Sequence, residues 1–166
     1  NEIVGRIQQT DISVPYLENG YYYYTRFEEG KEYPIYCRKK GNLDASEEII
    51  LNVNPMAEGH AYYEIGGYQV SEDNRLLAFS EDTVSRRIYT IYFKDLITGE
   101  ILPDKIDSTA GNLAWANDRQ TLFYATKDES LRTDKIWKHR LGAEEGKDLL
   151  VYKEEDVTFN TFVYKS

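Results

Sequence analysis

Short runs that mix apolar and polar residues, separated by turn-forming residues, occupy most of this chain. The clearest run, residues 87–94, crowds aliphatic and aromatic side chains in a way that is typical of a β-strand. The tyrosine run at 21–24 favours the same conformation, because β-branched and aromatic residues fit a pleated, half-buried surface. The best helical candidate, around residues 44–48, is short. The pattern therefore predicts an all-β fold.

Two stretches of the chain match each other at an offset of 45 residues. The matching pairs are Val70 and Trp115, Asp73 and Asp118, Leu77 and Leu122, Phe79 and Tyr124, Ile91 and Ile136, Tyr92 and Trp137, and Leu96 and Leu141. Each copy contains four candidate strands: 68–71, 76–81, 87–95 and 100–106 in the first, and 112–116, 121–126, 135–141 and 148–152 in the second. A divergent unit with candidate strands at 20–26, 33–38 and 48–53 comes before them.

Four short strands that recur every ~40–45 residues are the signature of a β-propeller blade. We predict a partial β-propeller of about three four-stranded antiparallel blades plus the start of another. Residues 1–16 are expected to form a linker, and the propeller to cover 17–166, with blades at about 17–60, 61–108 and 109–157 and a further start at 158–166. Because blades close into rings of ~4–8, we expect this chain to belong to a longer polypeptide, and open blade faces to permit self-association.

Composition narrows the classes of function. A formal net charge of −9 argues against a nucleic-acid partner, because phosphates require a basic surface, but it suits a cationic partner. Cys37 is the single cysteine, so an internal disulfide is impossible, and we expect a cytoplasmic location, with the periplasm left open. No apolar run approaches the ~18 residues that span a bilayer, so no membrane partner is expected.

We predict that no residue of this chain is catalytic, binds a cofactor or ligates a metal ion. A serine nucleophile on an elbow requires Gly-x-Ser-x-Gly, which the pair Gly66-Gly67 does not supply. His60 and His139 have no serine or aspartate at informative spacing, so a structural or surface role is favoured for both. One cysteine and two distant histidines do not form a metal-site pattern.

Other conspicuous side chains have structural interpretations. Trp115 and Trp137 suggest a ligand platform, but each matches an apolar residue of the preceding copy, so we place both in the core. Arg86 and Arg87 are interpreted as surface charges, with a blade-to-blade ion pair as the alternative. The acidic groups Glu28-Glu29, Glu47-Glu48 and Glu154-Glu155-Asp156 are interpreted as solvated loop charges, and Asp73 and Asp118 as turn residues.

Four stretches, taken in order, resemble the propeller of the oligopeptidase B group of the prolyl oligopeptidase family. They are Ser13-Val14-Pro15-Tyr16 with residues 19–26, residues 29–38, residues 81–91 with 95–99, and residues 113–118 with 121–124. The resemblance covers nearly the whole chain, and its strength lies in the order of the pieces.

This resemblance implies a seven-bladed propeller that caps a C-terminal α/β-hydrolase domain, which carries the Ser-His-Asp triad. It implies that the parent protein is a serine peptidase that cleaves short peptides after Arg or Lys. The expected partners are that hydrolase domain and short basic peptides, and no site residue is transferred to this chain. Two alternatives stay open: a stand-alone propeller that binds partners without peptidase activity, and a relative with another specificity, such as for proline.

Overall fold

The computed structural model describes residues 11–143 and 146–165. The chain divides into two compact units, Asn1–His60 and Ala61–Ser166. Almost all the regular structure in the described residues is β, which agrees with the all-β prediction. Within these residues no helix has the length and the apolar composition that crossing a membrane requires.

The first unit is built on one antiparallel sheet in the order β1-β2-β3-β4. Its elements are β1 (Tyr16–Glu18), β2 (Tyr21–Arg26), β3 (Ile35–Lys40), β4 (Glu47–Asn52) and the one-turn helix α1 (Val53–Met56). Tyr24, Ile35 and Cys37 form a buried cluster on one side of the sheet. Tyr23 is also buried and stacks on Tyr16, with ring centroids 5.6 Å apart. Neighbouring tyrosines of β2 therefore face opposite sides of the sheet, as the alternation of side chains along a strand requires.

The acidic pair at the start of β4 is ion-paired, so our interpretation of Glu47 and Glu48 as solvated loop charges is wrong. Glu47 accepts hydrogen bonds from the Arg26 guanidinium and from the Tyr24 hydroxyl. Glu48 accepts a 2.8 Å hydrogen bond from Nε of Arg38, which is only 4% exposed. Cross-strand pairing accounts for the second of these contacts, because Arg38 of β3 lies directly opposite Glu48 of β4.

The short helical candidate near residues 44–48 is not a helix, in keeping with the all-β prediction. These residues form a turn and the start of β4, whereas α1 begins at Val53, which we had placed in a strand. Asn52 caps α1, since its side chain accepts a hydrogen bond from the Asn54 backbone N–H. Pro55 fits in this first turn because the N–H that it lacks would have no helical partner there.

Part of the segment predicted as a linker takes part in the sheet. The backbone N–H of Ser13 donates to the Thr25 carbonyl at 2.8 Å, and the N–H of Phe27 donates to the Asp11 carbonyl at 2.9 Å. Tyr16 already belongs to β1. Residues 1–10 of that predicted linker lie outside the described residues.

The second unit is one antiparallel sheet in the order β11-β10-β9-β8-β7-β6-β5. Its strands are β5 (Glu64–Val70), β6 (Leu76–Asp82), β7 (Tyr89–Asp95), β8 (Ile101–Trp115), β9 (Thr121–Lys127), β10 (Thr133–Arg140) and β11 (Leu149–Lys153). The 45-residue repeat is preserved in the strand register. Equivalent cross-strand pairs are Val70–Leu77 and Trp115–Leu122, and Phe79–Tyr92 and Tyr124–Trp137.

Strand β8 joins the two copies without interruption. We predicted separate strands at 100–106 and 112–116, and this prediction is wrong, because β8 is a single strand of 15 residues. Thr109 pairs with Tyr89 on one side and with Thr126 on the other, so the pairing continues through the junction. Positive φ angles at Ser108 (59°) and Gly111 (87°) bend the strand without ending it.

The core of the second unit is shared by both copies. Phe93 and Trp115 are buried and meet edge to face, with ring centroids 5.7 Å apart. The prediction that Trp115 lies in the core is therefore confirmed, since it is 2% exposed. Trp115 also donates its backbone and indole N–H groups to Gln69 of β5, which ties the two copies together.

The residues that follow β11 lie against the second unit without forming a strand. The side-chain amide of Asn112 donates to the Val163 carbonyl and accepts from the Val163 backbone N–H. The backbone N–H of Thr161 donates to the Thr133 carbonyl at 2.9 Å. These separate hydrogen bonds fix the path of residues 158–165, where we expected another blade to start.

Candidate functional site

A cluster of titratable side chains in the second unit surrounds His139. Its Nδ1 lies 2.8 Å from Oδ1 of Asp148, and its Nε2 lies 3.2 Å from Oδ2 of Asp104. The ring is 5% exposed and stacks on Phe93 with a centroid separation of 5.7 Å. The Tyr124 hydroxyl donates to the other oxygen of Asp148 at 2.8 Å. Strands β8, β9 and β10 and the start of β11 are thereby joined through side chains.

A cavity of about 550 Å³ opens beside this cluster. It is lined by charged, polar and aromatic side chains, chiefly Lys105, Asp107, Tyr124, Lys127, Trp137 and His139. Burial raises the pKa of Tyr124, and its hydrogen bond to Asp148 raises it further. The ion pair with Lys105 lowers the pKa of Asp107, whereas burial lowers the pKa of Lys127. The cavity is therefore polar, with both signs of charge on its wall.

The surroundings of His139 do not form a nucleophile–base pair. A general base for a hydroxyl nucleophile needs a ring nitrogen that faces that hydroxyl. Here both ring nitrogens of His139 face carboxylates. His60 lies in an exposed turn, where its backbone N–H donates to the Ala57 carbonyl at 3.1 Å.

The glycine pair Gly66-Gly67 has a packing role. A Cβ at Gly66 would lie 2.4 Å from the Tyr89 ring, and a Cβ at Gly67 would lie 2.8 Å from the Gly111 carbonyl oxygen. The nearby Ser80 hydroxyl donates to the Gly111 carbonyl at 3.0 Å. Gly67 therefore allows β5 to approach β8 closely, and Gly66 makes room for the Tyr89 ring of β7.

Arg86 and Arg87 lie in an exposed hairpin loop that is held from inside by one carboxylate. Asp82 is 1% exposed and accepts hydrogen bonds from three backbone N–H groups of the loop, including those of both arginines. Ser85 and Arg87 have φ angles of 58° and 54°, which non-glycine residues seldom adopt. Lys127 of the next copy donates to the Arg87 carbonyl at 2.5 Å. The loop is thus fixed with both arginine side chains towards solvent.

The remaining candidates occupy structural positions. Trp137 packs against the core, and its indole N–H donates to the Thr126 hydroxyl at 2.9 Å, while the ring also lines the cavity. Asp73 and Asp118 accept hydrogen bonds from backbone N–H groups of their own turns, as predicted. Within residues 11–143 and 146–165, no group of three or more His, Cys, Asp or Glu side chains is placed to hold a metal ion.

Sequence reasoning missed the cluster around His139 because its two aspartates are 35 and nine residues away. One signal was available for Asp148. In the β10–β11 hairpin Lys138 lies opposite Leu149, so the neighbours of these residues must also lie close together. No comparable local signal connects His139 with Asp104 on β8.

Comparison with known proteins decides the family. The profile described as the N-terminal β-propeller domain of prolyl oligopeptidase matches residues 1–166. The chain belongs to the prolyl oligopeptidase family. The resemblance to this family and the prediction of an all-β partial propeller are confirmed.

Three members of the prolyl oligopeptidase family illustrate the relationship. The chain is 46% identical to dipeptidyl aminopeptidase BI of Pseudoxanthomonas mexicana over 96% of its length, and 36% identical to protease 2 of Moraxella lacunata over 99%. The solved structure of oligopeptidase B from Leishmania major superposes with a TM-score of 0.92 at 37% identity and covers 99% of this chain. The chain spans about a quarter of each: 24%, 25% and 24% of their lengths, respectively. It corresponds to part of their N-terminal propeller.

Proposed function

We propose that this chain is the substrate-gating propeller part of a serine peptidase that cleaves short peptides after Arg or Lys. The observation that carries the proposal is the similarity to oligopeptidase B from Leishmania major, at a TM-score of 0.92 and 37% identity. The relative named protease 2 supports a peptidase as the parent. The catalytic partner is then a hydrolase domain elsewhere in the same polypeptide, and the buried single thiol of Cys37 suits a cytoplasmic location.

In this proposal the propeller admits substrates and does not perform chemistry. Opening between the propeller and the hydrolase domain lets a short peptide enter, and closure excludes water from the reacting groups. The net charge of −9 attracts cationic peptides at long range. Higher ionic strength screens this attraction, so kcat/KM of the parent for a dibasic peptide should fall as salt rises. A neutral substrate serves as the control, and equal salt dependence of the two substrates would argue against steering.

The first test compares the parent protein with this chain. Both are incubated with an N-blocked fluorogenic Arg-Arg substrate, a proline analogue of it, and a fluorophosphonate probe for reactive serines. We expect the parent to cleave the Arg-Arg substrate and to be labelled, and the chain alone to do neither. Preference for the proline substrate would indicate the other specificity. A parent that neither cleaves nor labels would favour a propeller that only binds partners.

A second candidate is a dipeptidyl aminopeptidase, because the relative of that name is 46% identical to this chain. Such an enzyme releases dipeptides from a free amino terminus, whereas an oligopeptidase also accepts blocked or internal positions. The parent is therefore assayed with Arg-Arg substrates that differ only in a free or blocked amino terminus. Cleavage of the blocked substrate supports the oligopeptidase, and cleavage of the free substrate alone supports the dipeptidyl aminopeptidase.

A further inference from the structure

The His139 cluster has a charge requirement that follows from its geometry. Ionised carboxylates only accept hydrogen bonds, and both ring nitrogens of His139 lie within hydrogen-bond distance of one. A neutral imidazole donates from one nitrogen and carries a lone pair on the other. Only the imidazolium form donates from both, so the pairs with Asp104 and Asp148 are satisfied together only when the ring is protonated.

These contacts fasten the outermost strand of the second unit. Asp148 immediately precedes β11, and Asp104 belongs to β8, on the far side of β9 and β10. Asp104 also accepts a 2.5 Å hydrogen bond from the backbone N–H of Gly142 in the turn after β10. Protonated His139 therefore connects Asp148, at the start of β11, to Asp104 of β8.

Strand β11 has few other means of attachment. All five of its residues are exposed, and among the described residues it pairs with β10 alone, across a register shift between Ile136 and Trp137. Loss of a charge-assisted hydrogen bond on either side of His139 should therefore lower the local stability of β11 before it lowers that of the core.

We propose that His139, Asp104 and Asp148 form a pH-sensitive clamp that fastens β11 when the imidazole is protonated and loosens it when the proton leaves. On deprotonation one ring nitrogen presents its lone pair to a carboxylate, and that contact becomes repulsive. The charged and titratable groups that line the cavities beside the ring come from several neighbouring elements. They are Asp104, Lys105 and Asp107 of β8, Asp118 of the turn before β9, Tyr124 and Lys127 of β9, Lys138 and Arg140 of β10, and Lys147 and Asp148 ahead of β11. Strand β7 contributes the uncharged Phe93.

The competing sources of pH dependence are few. The chain contains two histidines, the type of side chain that most often changes charge near neutral pH. The other histidine, His60, lies in an exposed turn of the first unit. Burial raises the pKa of the Cys37 thiol to about 11, which removes it from this range.

The test is amide hydrogen exchange of the chain at about pH 5.5 and about pH 8, with each rate divided by its intrinsic rate at that pH. We expect the protection of β11 to fall about tenfold at the higher pH, the effect of losing one charge-assisted hydrogen bond. The buried strand β6 should keep its protection. The variant His139→Gln, neutral at both values, should abolish the difference, and the matched variant His60→Gln should retain it.

Equal protection of β11 at both pH values in the unmodified chain would overturn the proposal, as would an unchanged difference in His139→Gln. If that variant does not fold, the imidazole nitrogens of the unmodified chain decide the matter by nuclear magnetic resonance. The clamp requires hydrogen-bonded protons on both Nδ1 and Nε2 of His139 at about pH 5.5. A bare nitrogen at that pH would show that no clamp exists.

Discussion

Replacing Gly67 by alanine tests the close approach of β5 to β8. The added Cβ would lie 2.8 Å from the Gly111 carbonyl oxygen, whereas ordinary contact begins at 3.4 Å. The two strands must then separate by about 0.6 Å, because the opposing atom belongs to the backbone. The Ser80 hydroxyl donates to the same carbonyl and to that of Gly67, so the separation also stretches these hydrogen bonds.

Three terms set the size of the effect. Overpacking of this kind destabilises a fold by about 1–3 kcal/mol, and a weakened buried hydrogen bond adds up to about 1 kcal/mol. The smaller conformational freedom of alanine in the unfolded chain offsets about 0.4–1 kcal/mol. The net loss in the free energy of unfolding for Gly67→Ala is about 2 kcal/mol. For a chain of 166 residues this lowers Tm by about 4–8 °C.

Gly99→Ala is the matched control, since it makes the same chemical change in the same unit. Beyond its two chain neighbours, no atom of residues 11–143 or 146–165 lies within 4 Å of the new Cβ, so the penalty comes from the φ of 79°. The backbone strain is partly offset by the smaller conformational freedom of alanine in the unfolded chain, so the free energy of unfolding falls by about 0.5–1 kcal/mol. Urea unfolding is followed by fluorescence of Trp115 and Trp137, the two tryptophans, both of which lie in the second unit. If Gly67→Ala were no less stable than Gly99→Ala, our account of the contact would be refuted.

Three further predictions concern other parts of the chain. Burial raises the Cys37 pKa from 9.0 to about 11, so the stability that the neutral thiol contributes is lost as pH rises between these values. A disulfide reagent at about pH 8 should therefore react with Cys37 of the folded chain about a hundredfold more slowly than with Cys37 of the chain unfolded in urea. Equal rates would contradict this. Hydrogen bonds, above all from Ser130, lower the Asp128 pKa from 3.8 to about 2, so the stability that the ionised carboxylate contributes is lost as pH falls towards 2. In Asp128→Asn the free energy of unfolding should therefore depend less steeply on pH in this range. Arg132 donates hydrogen bonds to the carbonyls of Asp156 and Phe159, so Arg132→Lys should lower the protection of residues 156–161 against amide hydrogen exchange about tenfold. The control variant Arg119→Lys, at an exposed arginine, should leave this protection unchanged.

The repeat could be predicted because it depends on local chemistry that both copies share. Asp73 and Asp118 cap equivalent turns through backbone N–H groups. Leu96 and Leu141 donate their backbone N–H groups to equivalent carbonyls at the same distance of 2.8 Å. Such turns set the register of each hairpin, so an apolar match along the sequence becomes a match in the sheet.

Features that depend on distant residues could not be predicted in the same way. Glu47 was assigned to a loop because its charge was considered without Arg26, which lies 21 residues earlier on another strand. The continuity of β8 depends on pairing of Thr109 with the strands on both sides. The sequence near residue 109 does not predict this pairing. His139 gained two carboxylate neighbours only when the register of β8, β9 and β10 was known.

The second unit is held by different forces in different places, and this has a consequence for how it responds to solution conditions. Where β5 meets β8, close backbone contact at Gly67 and the bonds between Gln69 and Trp115 involve no ionisable group. At β11, the pairing with β10 is supplemented by the contacts of His139 with its two carboxylates. Changes in pH or ionic strength act on charged contacts far more than on packed uncharged ones. The junction between the two copies should therefore stay fixed under conditions that already loosen the outermost strand.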